Sequence, residues 1–567
     1  MLFNIVNFLT KKEKNFFFLL VFLSFVLSIF ELAGIMSIIP FLSILIEPNN
    51  LEKFTFIQNF LSEKHTNEKS IRLILGSLFI TIIFLSSLLN IFNIWLTNKF
   101  VVQLEYDLAK KILKGFLGRN LDYYSNINSS QITSKVLEET TRVTNGVINS
   151  YLNLISKSLL ILVINLGLIV INPKITISLA LILFFIFFII YFFTRQLIKK
   201  NGKKISKLLP IRQKKLFEGI ESFRELKIYN KEYVILDVFN LISNKVAKLK
   251  WLNSSLALTP RYLIEFLTFF IIVVLLIFFS NNNFYSMLPI FGVFIFSFYK
   301  MLPAAQNIYI SLAQIRGDIS ALDNIKDEII FEKKISQNKN KLKQKKLPFD
   351  NLIKLKNINF SYSNKLKIFT NFNFDIKRGE KIGIKGKSVV GKSTLINLIC
   401  GFYKVSKGQI IIDKTKLTEN NIMNWQKNIC YVPQKVYLFD NTILNNITFF
   451  DSKKNINKKI LNKISKNSML NEFTKKMKKK LYSNIGDRAS KLSGGQAQRI
   501  GIARAMYSNA ELIILDESTN SLDKKTEKKI IKNFFTLKKD KTIIIVSHHE
   551  NNLKYCDKII DLDNLKK

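Results

Sequence analysis

The stretch Gly386-Lys387-Ser388-Val389-Val390-Gly391-Lys392-Ser393, followed by Thr394, decides how the second half of this chain is organised. It comes directly after a short apolar segment and fits G-x-x-x-x-G-K-[ST], in which a strand ends in a glycine-rich turn that opens a helix. Glycine lets the backbone wrap around phosphate oxygens, and the free N–H groups at the helix start attract the anion. The stretch therefore predicts a phosphate-binding loop, with Lys392 reaching the terminal phosphates and Ser393 binding Mg²⁺.

Two later segments predict the rest of the same site. The apolar run 512–515 reads as a buried strand that ends in Asp516 and Glu517, which would serve the metal and an attacking water. The alternative, an ordinary solvated loop, fits poorly about 120 residues after a phosphate-binding loop. Segment 492–496, Leu-Ser-Gly-Gly-Gln, is a second glycine-rich helix start. Two phosphate-binding segments with one candidate base suggest that two chains share each nucleotide.

Composition divides the chain into two unlike parts. It has 567 residues, is 48% hydrophobic, and carries 85 Lys and Arg against 41 Asp and Glu, a net charge of +44. A disordered basic tail is excluded, because it would not be this apolar. The charge fits either a nucleic-acid binder or a membrane protein with basic inner loops. Three cysteines and three histidines indicate a reduced compartment and argue against a disulfide framework or a histidine metal site.

Six apolar runs predict a membrane part. Most reach the roughly 20 residues needed to cross a bilayer. The segments 97–146 and 195–260 are long, polar and helix-patterned, so they predict extensions of the spans into one compartment. Segment 195–260 has 15 Lys and Arg against five Asp and Glu, which makes that compartment cytoplasmic. The runs are Phe16–Ile46, Leu73–Leu96, Val147–Ile171, Ile175–Phe193, Tyr262–Ser280 and Met287–Phe298.

The remaining charges follow this topology. Only five basic residues fall in segments predicted to be outside: Lys53, Lys64, Lys69, Arg72 and Lys174. The net charge therefore indicates orientation rather than nucleic-acid binding. The loop 47–72 has apolar residues at helical spacing, which predicts a helix lying on the outer membrane surface or packed on the other spans.

Ionisable residues inside apolar spans are functional candidates. They are Glu31, Arg261, Glu265 and Lys300. The alternative interpretations are that Arg261 and Glu265, four residues apart, form an ordinary pair, and that both basic side chains reach the inner membrane surface. The functional hypothesis is that Arg261 and Lys300 hold a phosphate or pyrophosphate head group.

The order of these motifs resembles the ATP-binding cassette (ABC) family over the whole chain. Segment 492–496 is the family signature, Asn520-Ser521-Leu522-Asp523 matches the D-loop, and Val389 stands where the family usually has glycine. The resemblance implies a homodimeric half-transporter that uses ATP and Mg²⁺, with Glu517, His548 and Gln434 as catalytic residues and Ser393, Gln434 and Asp516 as metal ligands. It assigns ATP binding to Tyr362, Gly386, Lys387, Ser388, Val389, Val390, Gly391, Lys392, Ser393, Thr394, Ser493, Gly494, Gly495 and Gln496.

The expected fold is therefore a membrane α-helical domain of six transmembrane helices, the ABC exporter fold, plus an α/β P-loop nucleotide-binding domain. The expected limits are 1–328 for the transmembrane domain, 329–350 for a charged linker and 351–567 for the nucleotide-binding domain. The resemblance also places two cytoplasmic turns, near 119–124 and 220–230, against the nucleotide-binding domains.

The membrane half is similar to the bacterial lipid-linked-oligosaccharide flippases. The similar stretches are 11–16, 259–262 and 299–305. The resemblance implies ATP-driven flipping of a polyprenyl-pyrophosphate glycan by a multi-pass inner-membrane protein in the lipid bilayer, with both termini and the nucleotide-binding domain cytoplasmic. The alternative is an ABC exporter of another cargo, such as a lipid, peptide or drug. Ser86 stands where these flippases usually have a basic residue, and no nucleic-acid partner is expected.

Overall fold

The computed structural model describes residues 9–46, 68–125, 127–262, 265–266, 269–270, 273, 284–341, 345–362, 367–387, 391–451, 456–486 and 489–563. The chain divides into two compact units. The helical unit comprises residues 1–119 and 124–337, and the α/β unit comprises residues 120–123 and 338–567. The division near residue 337 falls inside the predicted linker, and the predicted domain limits themselves stay a prediction.

The helical unit consists of long helices joined by short breaks. Its first apolar run forms two helices rather than one, because Pro40 has no N–H to bond the carbonyl of Met36, where the first helix ends. The described helices before the first strand are α1 (Lys11–Met36), α2 (Ile38–Ile46), α3 (Glu68–Leu117), α4 (Leu121–Ser125), α5 (Ser129–Thr133), α6 (Ser150–Ile171), α7 (Pro173–Glu221), α8 (Phe223–Ile228), α9 (Glu232–Leu258) and α10 (Phe284–Lys341), with π-helical segments at Ser134–Glu139 and Arg142–Asn149. The division into units gives residues 121–123 of α4 and the last four residues of α10 to the α/β unit.

Four helical stretches among the described residues are long and apolar enough to cross a membrane. They are Lys11–Ile44, Arg72–Leu117, Ser129–Ile171 and Pro173–Glu221, and they contain most or all of the first four predicted apolar runs. The fifth run lies largely outside the described residues, and the sixth falls within α10. The predicted outer helix also lies outside the described residues, apart from the start of α3.

The polar segments between the spans are helical, as predicted. The helix α3 continues to Leu117 and α7 continues to Glu221, so both extend far beyond their apolar runs. Short helices α4 and α8 follow these ends, at the two places where cytoplasmic turns were predicted. The helix α10 continues to Lys341, four residues into the charged segment read as an unpatterned linker, because that segment has no Gly or Pro to end it.

The strands of the α/β unit are β1 (Leu352–Ser361), β2 (Lys367–Lys377), β3 (Lys381–Lys385), β4 (Lys407–Ile412), β5 (Thr415–Lys416), β6 (Ile429–Val432), β7 (Leu512–Asp516), β8 (Thr542–Val546) and β9 (Lys558–Asp561). They form two sheets. An antiparallel sheet has the order β2-β1-β4-β5, and a parallel sheet has the order β6-β7-β8-β3-β9. The inner strands β7 and β8 of the parallel sheet are buried along their whole length, as expected for strands covered on both faces.

Helices of the α/β unit follow the strands that place the site. They are α11 (Lys392–Ile399), α12 (Ile422–Gln426), α13 (Ile443–Thr448), α14 (Lys458–Asn467), α15 (Asn471–Thr474), α16 (Gly494–Tyr507), α17 (Lys524–Leu537) and α18 (Glu550–Leu553). Because neighbouring strands of the parallel sheet point the same way, their carboxyl ends meet at one edge. The residues that follow β3, β6, β7 and β8 are therefore brought together.

Candidate active site

The glycine-rich turn after β3 has the backbone that a phosphate-binding loop needs. Gly386 has φ +146° and Gly391 has φ +106°, backbone conformations that residues other than glycine rarely adopt. Gly391 caps α11, which begins at Lys392. Lys387 follows Gly386 in this turn, and its N–H donates to Asp563. The residues Ser388, Val389 and Val390, which were also expected to bind ATP, lie outside the described residues.

The first turn of α11 presents the two predicted hydroxyl residues to different surroundings. Ser393 is exposed, whereas Thr394 is buried and its hydroxyl lies 2.8 Å from the hydroxyl of Tyr362. Tyr362 is 43% exposed and packs edge-on against Phe360 and Tyr403. The aromatic ring that the family resemblance assigns to ATP binding is therefore held beside the start of the phosphate-binding helix.

Lys392 brings several predicted residues together. Its ammonium donates to the carbonyl of Gly386 at 2.8 Å and lies 3.6 Å from a carboxylate oxygen of Glu517. The Nε2 atom of His548 lies 2.8 Å from this ammonium and 3.1 Å from Glu517 Oε1. That nitrogen can accept from the ammonium or donate to the carboxylate, depending on its tautomer.

Glu517 is the centre of the cluster. It follows β7 with φ +47°, a left-handed conformation that is costly for a residue with a side chain and is typical of functional sites. Its N–H donates to the carbonyl of Val546 at 3.0 Å, which ties it to the end of β8. Gln434 Nε2 and Asn520 Nδ2 donate to Glu517 Oε2 at 2.8 and 3.0 Å. The carboxylate is thus contacted by four side chains, those of Lys392, Gln434, Asn520 and His548.

Asp516 ends β7 in a more buried position. Burial raises the pKa of its carboxyl group, and the Tyr431 hydroxyl, which donates to Asp516 Oδ2 at 3.0 Å, opposes that rise. Mg²⁺ prefers oxygen ligands and usually binds one or two protein groups together with substrate phosphates. The carboxylate of Asp516, the hydroxyl of Ser393 and the amide oxygen of Gln434 fit that preference by chemical type.

The signature segment forms a well-capped helix start. Ser493 accepts from the N–H of Gln496 at 3.3 Å, and Gln496 Oε1 accepts from the N–H of Ser493 at 3.0 Å, which is a capping box. Gly495 lies against the next loop: a Cβ added there would stand 2.9 Å from the carbonyl oxygen of Ser521. Within the described part of the chain, no hydrogen bond or ion pair joins 493–496 to 386–394.

Sequence reasoning missed two residues that connect the site. Gln498 is 4% exposed, accepts from the N–H of Ser521 at 2.9 Å, and donates to the carbonyl of Gln434 at 3.3 Å. Asn520 was placed in a loop but given no role, although it contacts the candidate base. Gln498 could have been identified as a candidate because it is a polar residue on the buried face of α16.

The structure does not bring the two head-group candidates together. Lys300 pairs with Glu31 at 2.8 Å, and Arg261 pairs with Glu265 at 3.7 Å. No hydrogen bond or ion pair among the described residues joins Arg261 to Lys300. The Arg261–Glu265 pair is the one that their spacing of four residues predicted as an alternative.

The comparisons with known proteins cover both units. The family model "ABC transporter transmembrane region" matches residues 17–252, and the model "ABC transporter" matches residues 369–520. A protein of Haemophilus influenzae (strain 86-028NP) named ATP-dependent lipid A-core flippase is 34% identical over 218 residues, which is 38% of this chain and 37% of that protein. A protein of the same name from Aliivibrio fischeri (strain ATCC 700601 / ES114) is 36% identical over 212 residues, 37% and 36% of the two chains.

The chain therefore spans little more than a third of the length of these relatives. A solved structure described as a bacterial Atm1-family ABC exporter with ATP bound matches with a TM-score of 0.73 and 16% identity, over 94% of this chain and 93% of that one. This likeness shows the exporter fold. The two family models together span most of the chain, and the protein belongs to the ABC transporter family, with a helical membrane domain followed by an ATP-binding domain.

Proposed function

We propose that this protein hydrolyses ATP and uses the reaction to flip a lipid-linked oligosaccharide across the bacterial inner membrane. The observation that carries the ATPase part is the position of Glu517, whose carboxylate is within 3.6 Å of Lys392, His548 and Gln434. A candidate base, a phosphate-binding cation and two polar residues thus lie together at the carboxyl edge of the parallel sheet. That is the arrangement that transfer of a phosphoryl group to water requires.

The chemistry follows from these positions. Lys392 and the N–H groups at the start of α11 bind the phosphates, and Tyr362 packs on the adenine. Glu517 accepts a proton from the water that attacks the γ-phosphorus, and the bond to the bridging oxygen of ADP breaks. Gln434, Asn520 and His548 hold the water and the carboxylate in line. Ser393, Gln434 and Asp516 would hold Mg²⁺, which would neutralise phosphate charge.

A second copy of the chain completes the site in this proposal. The signature helix start at 493–496 is capped by its own side chains, and among the described residues no hydrogen bond or ion pair joins it to 386–394 of its own chain. A homodimer would place the signature of one protomer over the nucleotide of the other. The basic segment 195–260 supports a cytoplasmic position for the ATP-binding domain and both termini.

The cargo is proposed to be a polyprenyl-pyrophosphate glycan. The relatives' name, lipid A-core flippase, supports lipid flipping in general. The finer choice depends on the resemblance of 11–16, 259–262 and 299–305 to lipid-linked-oligosaccharide flippases, with Arg261 and Lys300 as head-group residues. The competing proposal is export of another lipid, a peptide or a drug, because the ATPase residues do not distinguish cargoes.

A flipping assay tests the proposal. The full-length protein is reconstituted into vesicles with a labelled lipid-linked oligosaccharide and ATP, and an external glycosidase reports the oligosaccharide that reaches the outer face. We expect ATP-dependent exposure of the label. Normal ATP turnover without exposure would reject the cargo and keep the exporter, whereas absence of both in a correctly folded protein would reject the ATPase.

A further inference from the structure

Five polar side chains lie next to the candidate active site of the α/β unit, and the proposed mechanism uses none of them. Four are buried, with at most 5% of each residue exposed, and the fifth, His549, has 48% of its side chain exposed. They come from the loop after β7, from α17, and from the turn and helix after β8. We call them the Glu527 network: Thr519, Glu527, Ser547, His549 and Asn552.

Asn552 is at the centre of the hydrogen bonds of this network. Its Nδ2 donates to Glu527 Oε1 at 2.6 Å, to Ser547 Oγ at 3.2 Å and to Thr519 Oγ1 at 3.3 Å. His549 Nδ1 lies 3.1 Å from both carboxylate oxygens of Glu527. The carboxylate therefore ties α17 to the turn after β8, and Asn552 ties that turn to the loop after β7.

The network adjoins both candidate catalytic residues through the chain. Ser547 and His549 are the two neighbours of His548 in sequence, and the N–H of His549 donates to Ser547 Oγ at 3.0 Å. Thr519 follows Glu517 by two residues, and the φ of +47° at Glu517 persists only where the surrounding structure holds it. In the part of the chain that the structure describes, no member of the network bonds to the Glu517 side chain or to the phosphate-binding loop. Its members therefore act on the site through other residues.

The charge balance of the network depends on one histidine. Glu527 is a buried carboxylate, and His549 is the only basic side chain in ion-pair contact with it among the described residues. A neutral imidazole can still donate from Nδ1, but the carboxylate then has no counter-charge. An unpaired buried charge is costly, and histidine is the side chain that gains and loses its proton near neutral pH.

The other titratable side chains on the elements around His549 do not pair with it. Within the described residues, none of them forms a hydrogen bond or ion pair with its ring. A change of its proton therefore acts on Glu527 first. These side chains are Lys524, Lys525, Lys528, Lys529 and Lys532 of α17, Asp516, Glu517 and Asp523 around the loop after β7, and His548, Glu550 and Lys554 around α18.

We propose that protonated His549 is a positioning residue for ATP hydrolysis: by pairing with Glu527, it holds His548 in its catalytic position. The loop that carries Glu517 is held by the same network through Asn552. Loss of the proton leaves the Glu527 carboxylate unpaired and loosens the turn after β8, so turnover falls while ATP still binds. The proposal rests on the ATP hydrolysis of the proposed function and not on the cargo.

The pH profile of ATP turnover tests the proposal. The kcat and the KM for ATP are measured on the full-length protein from about pH 6 to 9, the range in which histidine changes charge. As pH rises, wild type should lose turnover relative to His549→Arg by about tenfold, because arginine keeps its charge and small displacements of catalytic groups have effects of this size. The KM for ATP should be the same in both proteins.

Two further variants separate charge from structure. In Glu527→Gln the buried group is neutral, so no proton is needed and the alkaline loss of turnover should be absent. His549→Gln leaves the carboxylate unpaired at every pH and should show the low turnover of alkaline wild type throughout. A merely structural His549 would lower turnover without changing its pH dependence, and nucleotide binding shows that each variant is folded.

Lys525→Gln is the matched control. It removes a positive charge from an exposed position of α17, two residues from Glu527, and should reproduce the wild-type profile.

The outcomes distinguish this role from the proposed function. Identical pH profiles in wild type and folded His549→Arg would overturn the role of His549 and leave ATP hydrolysis intact. An alkaline loss that persists in Glu527→Gln would also overturn it, because the proton would not serve that carboxylate. Failed flipping with these pH effects intact would reject only the cargo. A wild type that binds ATP but hydrolyses none at any pH would reject the proposed function, and this role with it.

Discussion

The α/β unit and the helical unit place their polar residues by different means. In the α/β unit, Lys392, Gln434, Glu517 and His548 come from segments far apart in sequence, yet they meet because parallel strands end at one edge. In the helical unit, polar residues meet across helices whose rotation about their axes decides every contact. The topology of a parallel sheet determines which residues lie together at the carboxyl ends of its strands. The contacts between two helices depend on how each is rotated about its axis, which only the structure shows.

The ion pair of Lys300 illustrates the second case. Lys300 was expected to act with Arg261, but its carboxylate partner is Glu31 from the first helix of the unit. The other oxygen of that carboxylate accepts from Asn90 of α3 at 2.7 Å. Neither contact could be predicted from the spacing of these residues in the sequence.

The largest effect, on ATP turnover, is expected from changing Glu517 in the candidate active site of the α/β unit. Glu517→Gln keeps the side chain's size and one acceptor oxygen but removes the proposed base. We expect ATP turnover to fall at least 100-fold, within the range for loss of general-base catalysis, while ATP binding is retained. Phosphate release and nucleotide binding are measured on the same preparation.

Glu419→Gln is the matched control for that experiment. Glu419 is a surface residue that pairs only loosely with Lys404 at 3.3 Å, with both side chains more than 70% exposed. Its variant should hydrolyse ATP at the wild-type rate. If Glu517→Gln hydrolysed ATP at close to the wild-type rate, another group would accept the proton. The contacts of Glu517 with Lys392, Gln434 and His548 would then have a structural role rather than a catalytic one.

The sequence predicted the α/β unit well because its motifs report local backbone requirements. Gly386 and Gly391 do have the left-handed φ values that the loop pattern implies, and a buried strand does end at Asp516, with Glu517 directly after it. Gln498 escaped prediction because its two partners lie in other loops. Single-residue spacing carries no information on such contacts.

In the helical unit, existence and length of helices were predictable and contacts were not. The polar extensions are helical, as their patterning indicated. Arg142, which donates to Asp318 at 2.8 Å and to Ser206 at 2.6 Å, gave no signal in sequence because its partners are 64 and 176 residues away. The π-helical segment that carries Arg142 was equally invisible.

A smaller effect is expected from breaking a helix contact in the helical unit. Gly202 of α7 lies so close to α10 that an added Cβ would stand 1.8 Å from the carbonyl oxygen of Gly317. Gly202→Ala therefore forces the helices apart, and we expect a loss of about 2–3 kcal/mol in stability, the cost of overpacking. The midpoint of thermal denaturation of the detergent-solubilised protein should fall by several degrees.

The facing glycine provides the control. A Cβ added at Gly317 would meet Ile198 at 3.5 Å and Asn253 at 3.6 Å, which are ordinary contact distances. The denaturation midpoint of Gly317→Ala should therefore lie within about 1 °C of wild type. A substitution that adds only contacts at ordinary van der Waals distance is expected to change the free energy of unfolding by under about 0.5 kcal/mol. Equal losses in the two variants would show that the helices do not pack as closely as this contact requires.

The smallest effect is expected at a turn of the α/β unit outside the candidate active site. The experiment tests whether the carboxylate charge of Asp413 stabilises that turn. Asp413 accepts from the N–H groups of Asp350, Asn351 and Leu352 at 2.6, 2.8 and 2.7 Å. Burial raises the pKa of Asp413, but these three hydrogen bonds outweigh it and leave the pKa below its ordinary value. Asp413→Asn keeps one acceptor oxygen, so we expect a loss of about 1 kcal/mol.

The sign of the pH dependence distinguishes charge from shape. Because the folded pKa of Asp413 is lowered, its stabilisation is complete above the ordinary pKa of about 4 and is lost as pH falls through the folded value. The difference in denaturation midpoint between wild type and Asp413→Asn should stay constant from about pH 8 to 5 and shrink below about pH 4. Asp540→Asn, at an exposed turn, should show no difference. A gap that persists unchanged at low pH would assign the effect of Asp413→Asn to the fit of the amide in the turn, and the carboxylate charge would then contribute nothing there.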